Sequence, residues 1–298
     1  MNREKRNLYI SRIYAAVHTL SGSSDFINLQ IADQLETVKN PQKRTNDYYL
    51  QINPNKAISD TKMIKRYSEF KRILEETLEQ VEADTFQLNR VDLAFNSDYL
   101  EDYELFKKLN RLLICCISQE YNIKNCYETK DLWTFKSLSV AIKGDRLEAE
   151  NYNKAVESKG KTDTKNRLEI RSLRLNGKYT IEEEFLKNWS ARLDAAIEQF
   201  ENVQSRYNEI LVNLWLEDKA KPKKEQVFVS TTAFLLQFQN CIYSRKQLQS
   251  FYEQIGHKNP QNAAKKFKDN HKIEFYSKTD LKEVVKALKQ AMTDYFNN

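Results

Sequence analysis

Three short runs alternate polar and apolar residues with a period of two, and each carries carboxylates on its polar side. That pattern restricts the chain to folds containing a sheet with one charged face. Residues 89–95 put Val91, Leu93 and Phe95 on one side, with Arg90, Asp92, Ala94 and then Asn96 on the other. Residues 146–152 align Glu148, Glu150 and Tyr152, with Lys154 beyond. They follow an alternating run at 137–142 and a Lys143-Gly144-Asp145 turn, so they read as the return limb of a hairpin. Residues 167–171 bring Arg167, Glu169 and Arg171 to one side. An acidic residue in mid-strand, such as Asp92, is disfavoured unless it has a partner or a task. Two readings of the shared polar face stay open on spacing. One is a solvated face with ordinary cross-strand ion pairs. The other gathers Asp92, Glu169 and Glu150 around a divalent cation, Mg²⁺ or Mn²⁺, beside a tyrosine.

Helical periodicity surrounds these strands, so the fold class is α+β, a sheet with flanking helices. Residues 60–82 place Met63, Tyr67, Phe70, Leu74, Leu78 and Val81 on one face, and 101–118 place Phe106, Leu109, Leu113 and Cys116 together. Over 182–217, Leu186, Leu193, Phe200, Tyr207 and Leu214 recur every seven residues, with Trp189, Ala196, Val203 and Ile210 in the alternate seam. This predicts one helix of about thirty-five residues with a heptad stripe. It either pairs with its copy in a homodimer or packs onto a helix of its own chain. The second is favoured, because a helix of this length must also cover the sheet.

Charge divides the chain. From residue 219 to the end there are 15 basic against 7 acidic residues, net +8, and the preceding 218 residues carry net −2. Positive charge confined to one segment is the footprint of a module that binds a polyanion. The polar run 219–224, with its proline, reads as a linker between a body at 1–218 and a basic module at 225–298. Within the module, Ser244 caps a helix from Arg245 to Ile255 that Gly256 stops, and Pro260 opens a second helix through Lys268. Two short helices joined by a tight turn match a helix-turn-helix. Arg245 and Lys246 on the first helix, and Gln261, Asn262, Lys265, Lys266 and Lys268 on the second, are the candidate contacts to double-stranded DNA. Gln261 and Asn262 have the paired donor and acceptor that base edges require. Residues 272–276 are expected as a wing strand, and Thr279 as the cap of a closing helix ending near Phe296. The competing reading is a generic helical bundle with a lysine-rich face.

Other classes drop out. No stretch approaches the eighteen or so apolar residues of a membrane span, and mean hydropathy is −0.74. Arg12 and His18 interrupt the first apolar run, which argues against a signal peptide, so a cytoplasmic protein with no membrane partner is expected. The four cysteines include no C-x-x-C and read as reduced, mostly buried thiols. Five glycines, none in a phosphate-cradling loop, argue against NTPase and dinucleotide folds. His18, His257 and His271 are scattered and read as surface residues.

Three segments in order resemble the Rep_trans-type replication initiators of rolling-circle plasmids and the related relaxases of conjugative elements. Arg90-Val91-Asp92-Leu93-Ala94-Phe95 resembles that family's R-[IV]-D-x-A-[IVF] strand, Tyr152-Asn153-Lys154-Ala155-Val156-Glu157 its Y-x-K-x-x-E segment, and Arg167-Leu168-Glu169-Ile170-Arg171 its R-x-E-[IVL]-[RE] strand. One departure is Asn96, where the family strand often ends in a second aspartate. The resemblance implies an initiator that binds the origin of a mobile element and nicks one strand. Tyr152 would be the nucleophile, and Asp92 and Glu169, joined by Glu150, would hold Mg²⁺ or Mn²⁺. A phenol with an ordinary pKa of about 10 needs activation by a metal-polarised phosphate or a nearby cation, here Lys154. The scattered histidines exclude the nickases that use a His-hydrophobic-His metal pair. With no NTPase motif in the chain, unwinding would fall to a host helicase. The alternatives are a non-nicking origin-binding initiator or repressor, and a conjugative relaxase sharing the same chemistry.

Overall fold

A computed structural model describes residues 11–58, 62–123, 126–128, 139–162 and 164–298. Eight strands form one sheet: β1 (Tyr14–Ser24), β2 (Val38–Lys43), β3 (Tyr48–Ile52), β4 (Gln87–Ser97), β5 (Cys126–Glu128), β6 (Ser139–Lys143), β7 (Leu147–Asn153) and β8 (Asn166–Leu173). Their order is β2-β3-β1-β4-β8-β7-β6-β5, and every neighbouring pair is antiparallel. The α-helices of seven residues or more among the described residues are α1 (Tyr67–Gln80), α2 (Leu100–Glu120), α3 (Ser190–Ile197), α4 (Phe200–Ala220), α5 (Thr231–Gln237), α6 (Arg245–Gln254), α7 (Pro260–His271) and α8 (Lys278–Phe296). The α+β expectation holds, and the three alternating runs lie within β4, β7 and β8.

Alternation determines which side of the sheet is covered. Val91, Leu93 and Phe95 of β4 and Leu168 and Ile170 of β8 are at most 2% exposed and share one core with α2 and α8. α2 is buried at every residue from 108 to 118, as a helix sandwiched between the sheet and α3 and α4 must be. The hairpin forms as expected, with Lys143 opposite Glu148 and Ala141 opposite Glu150. Its residues 137–138, residues 60–61 of the first expected helix, the Phe106 side chain and residues 1–10 lie outside the described residues, and that helix begins only at Tyr67, which leaves Met63 before it. Cys115, Cys116 and Cys241 are buried thiols, as expected. Among the described residues no helix is long and apolar enough to cross a membrane.

Three expectations need correction. The heptad stripe is not one helix. A π-helical stretch at Glu183–Trp189 leads into α3, and a turn at residues 198–199 interrupts the helix before α4 begins. The stripe keeps its spacing across the break, with Trp189, Leu193, Ala196, Phe200 and Val203 all buried in the sheet-side core, and it is further along α4 that Leu211 and Val212 join a second core. α4 thus passes from one core to the other, and most of the seam packs within the chain, although Leu186 at its start is exposed.

The second correction concerns the wing. Residues 272–276 form no strand; Lys272 adopts a left-handed conformation (φ 50°) that ends α7, which runs on to His271. The cap of α8 is Ser277, through a capping box with Asp280, rather than Thr279. The third concerns the boundary at 218 and 225. The Asp218 carboxylate accepts hydrogen bonds from the main-chain N–H of Val227 (2.8 Å) and Phe228 (3.2 Å), which folds the linker back on α4. Moreover α8 returns to the body, burying Leu281, Val284, Leu288 and Met292 in the sheet-side core. The second core is therefore built from the end of α4 with α5, α6 and α7.

Candidate functional site

The charged face of β4, β8 and β7 is assembled by register. Asp92 lies opposite Arg171, which lies opposite Glu148; Ala94, Glu169 and Glu150 make the next row, and Asn96, Arg167 and Tyr152 the third. Glu169 is at the centre and is only 1% exposed. Its Oε1 accepts a hydrogen bond from Tyr152 Oη (3.0 Å), and its Oε2 lies 2.5 Å from Arg171 Nη2. Arg167 Nη1 lies 3.5 Å from Oε1.

A fourth strand contributes a residue that sequence reasoning placed on the surface. β1 pairs Val17 with Leu93 and Thr19 with Asp92, so His18 is the extra residue of a bulge. The bulge turns the imidazole onto the charged face, where the buried Nδ1 lies 2.9 Å from Glu169 Oε1. Asn55 holds the bulge: its Nδ2 donates to the main-chain oxygens of Val17 and His18, both at 3.0 Å. The only mark of this in the sequence is that Val17 and Leu20, both wholly buried, are three apart and so out of phase with an unbroken strand.

Burial alone would raise the Glu169 carboxyl, but His18, Arg171 and Arg167 outweigh it and hold the group well below the usual carboxylate range. The Tyr152 phenol moves the opposite way, pushed well above its ordinary value by burial and then by the adjacent Glu169. Lys154 does not reach the hydroxyl. Its Nζ lies 5.7 Å from the centroid of the Tyr152 ring and 2.6 Å from Glu157 Oε2, at the start of a single helical turn, Lys154–Glu157.

Asp92, Glu150 and Glu169 face the same side but do not converge on a cation site. Both oxygens of Asp92 are taken by the Arg90 fork at 2.8 Å, and Arg171 Nη2 lies 2.9 Å from Glu150 Oε2 as well as against Glu169. Four carboxylates, counting Glu148, thus face the guanidinium groups of Arg90, Arg167 and Arg171. Among the described residues no three His, Cys, Asp or Glu side chains are grouped as metal ligands. A divalent cation needs several free oxygens, and here guanidinium groups occupy those of Asp92, Glu150 and Glu169, so this donor set does not fit Mg²⁺ or Mn²⁺.

Beside the cluster a cleft of about 570 Å³ is bordered by His18, Arg167 and Lys154, and by Lys39, Lys56, Lys62, Lys159 and Lys161. Among the described residues its one acidic lining residue, Glu157, is paired with Lys154. The expected DNA contacts lie elsewhere: Arg245 and Lys246 on α6, and Gln261, Asn262, Lys265, Lys266 and Lys268 on α7, are all exposed. Ala264 and Phe267 anchor α7 from its other side.

No family model matches this sequence, and no curated protein matches it. Among solved structures, the chain is similar to a rolling circle replication initiator protein from Geobacillus stearothermophilus at 12% identity, over 77% of this chain and 96% of that one, with a TM-score of 0.32. It is also similar to an aspartate kinase from Clostridium acetobutylicum at 11% identity, over 64% and 34% of the two chains, with a TM-score of 0.21. Superpositions this loose bear on neither fold nor function.

Proposed function

We propose that this chain initiates replication of a mobile DNA element by gripping its origin through α6 and α7 and nicking one strand with Tyr152. The observation that carries the reading is the Tyr152 Oη to Glu169 Oε1 contact of 3.0 Å beside a lysine-lined cleft. It joins a nucleophile, an acceptor that orients it and a phosphate-binding surface. The phenolic oxygen would form a bond to phosphorus as the bond from phosphorus to the 3′-oxygen breaks. A carboxylate held as acidic as Glu169 orients the hydroxyl rather than storing its proton, so the proton ends on the departing 3′-oxygen. Lysines around the cleft would hold the flanking phosphates. No step is assigned to a metal.

A second reading, an initiator or repressor that grips DNA without cutting, is favoured by one observation: Tyr152 is only 7% exposed, and its phenol is harder to ionise than usual. A supercoiled plasmid carrying the DNA that flanks the gene separates the two. Under the first reading the wild type converts it to nicked circles and remains attached through a 5′-phosphotyrosine, and Tyr152→Phe binds equally well without nicking. Binding without nicking by the wild type would establish the second.

A further inference from the structure

The misfit between the acidic residues and a divalent cation leaves a question of charge: what would face the phosphate under attack? Arg167 is 2% exposed, borders the cleft and occupies the same cross-strand row as Tyr152. Its Nε donates to Asn96 Oδ1 at 2.7 Å, while Nη1 stands 3.5 Å from Glu169 Oε1. Asn96 is neutral, so it fixes the plane of the guanidinium without cancelling its charge. An aspartate at that position would pair with the arginine and also add a second carboxylate oxygen donor near Glu169. The neutral amide and the buried guanidinium therefore belong together.

We propose that Arg167, oriented by Asn96, is the phosphate-binding cation of this site and that the protein engages single-stranded DNA there without a divalent metal. This deepens the nicking reading and rests on it for the identity of the bound strand. A guanidinium offers two parallel donors to two phosphate oxygens, a geometry that a lysine ammonium lacks. Arg167 is thus distinct from the lysines around the cleft, which supply point charge alone.

The test uses the full chain and a fluorescein-labelled mixed-sequence single strand of twenty nucleotides, with Mn²⁺ followed separately by electron paramagnetic resonance. The wild type is expected to bind the oligonucleotide equally in EDTA and in Mn²⁺, and to hold no Mn²⁺ that Glu169→Gln releases. Arg167→Lys keeps the charge, so it should weaken the oligonucleotide on the order of tenfold with an unchanged salt slope; Lys161→Gln should lower the slope instead. Asn96→Asp should weaken the oligonucleotide, because its carboxylate would pair with the guanidinium that the phosphate needs. Circular dichroism checks the fold of each variant, and the wild-type Mn²⁺ measurement needs no variant to fold. Oligonucleotide binding that requires Mn²⁺, a wild-type Mn²⁺ site abolished by Glu169→Gln, or no oligonucleotide binding at all would overturn the proposal. Metal-dependent nicking would overturn it while leaving the nicking reading intact, and metal-independent binding without nicking would do the reverse.

Discussion

Lys108 Nζ donates to the main-chain oxygen of Glu274 at 3.0 Å, a contact that ties the buried middle of α2 to the segment between α7 and α8. A second bond to the Gln239 oxygen (3.1 Å) and the flanking rings of Tyr243 and Tyr276, each 5.8 Å away, complete the enclosure. Burial lowers the ammonium to about 8, against the smaller opposing influence of Cys241 and Glu274. An unfolded lysine titrates near 10.4, so between these values the unfolded chain binds more protons than the folded one. Folding stability should therefore rise with pH across that window, while below it the full cost of burying the charge is present. Relative to Lys108→Met, which cancels the other titrations, the wild type should gain on the order of 1 kcal/mol per pH unit between pH 8 and 10. Urea unfolding of both proteins at intervals through that range measures it, and parallel curves would show that Lys108 is not depressed.

Arg171 bridges four carboxylates at once, with Glu169 at 2.5 Å, Glu150 at 2.9 Å, Glu148 at 3.3 Å and Asp92 at 3.8 Å. Arg171→Met leaves them facing each other in a partly dry setting, and removing one partner of a buried ion pair costs roughly 3–5 kcal/mol. Without the guanidinium, which helps hold the Glu169 carboxyl below the usual range, that group keeps its proton to higher pH. The variant should therefore recover stability relative to the wild type as pH falls from 7 to 5. A deficit that stayed constant over that range would mean the arginine acts through packing alone.

Much of this architecture is legible in the residues themselves. Period-two alternation places Asp92, Glu169 and Tyr152 on one face because β4, β8 and β7 are regular through those positions. What alternation cannot convey is pairing across strands: Arg90 and Arg171 occupy the oxygens that spacing alone makes available to a metal. His18 was hidden for a different reason, since a bulge shifts the face of one residue and depends on Asn55, thirty-seven positions away, to hold it. The heptad stripe misled because periodicity describes a helix face without indicating which core it meets, and here the stripe meets two. Likewise, the polar run at 219–224 resembles a linker until Asp218 is seen to fasten Val227 and Phe228 to the end of α4.

Gly22 provides a test of how tightly β1 and β4 are matched. A Cβ placed there would lie 2.4 Å from the main-chain oxygen of Gln87 and 2.5 Å from the Phe86 ring. The oxygen belongs to the paired strand, beside an irregularity in register between Ser21 and Gly22, and cannot rotate away. Gly22→Ala should thus destabilise the protein by roughly 1–3 kcal/mol, the usual cost of overpacking. A thermal midpoint equal to that of the wild type would indicate that the strands slide apart freely at this end.

The DNA-binding assignment of α7 is best tested by point changes. Removing residues 225–298 would also remove α8, whose Leu281, Val284, Leu288 and Met292 fill the sheet-side core, so the truncated body should unfold. Gln261, Lys265 and Lys268 follow one another at helical spacing along the exposed side of α7, with Asn262 and Lys266 alongside. Ala264 and Phe267 are buried behind them, so substitutions on the outer side leave the packing untouched. Lys265→Glu and Lys266→Glu should weaken binding to every duplex alike and flatten its dependence on salt, as loss of phosphate contacts requires. Gln261→Ala or Asn262→Ala should instead cost roughly 1–3 kcal/mol at particular base pairs and little elsewhere, because an amide side chain reads a base edge by a paired donor and acceptor. Competition binding against a panel of single base-pair variants of the bound duplex, repeated at two salt concentrations, separates the two classes. If all four substitutions lowered affinity uniformly, α7 would lie along the phosphate backbone and the base-reading element would have to be sought elsewhere in the chain.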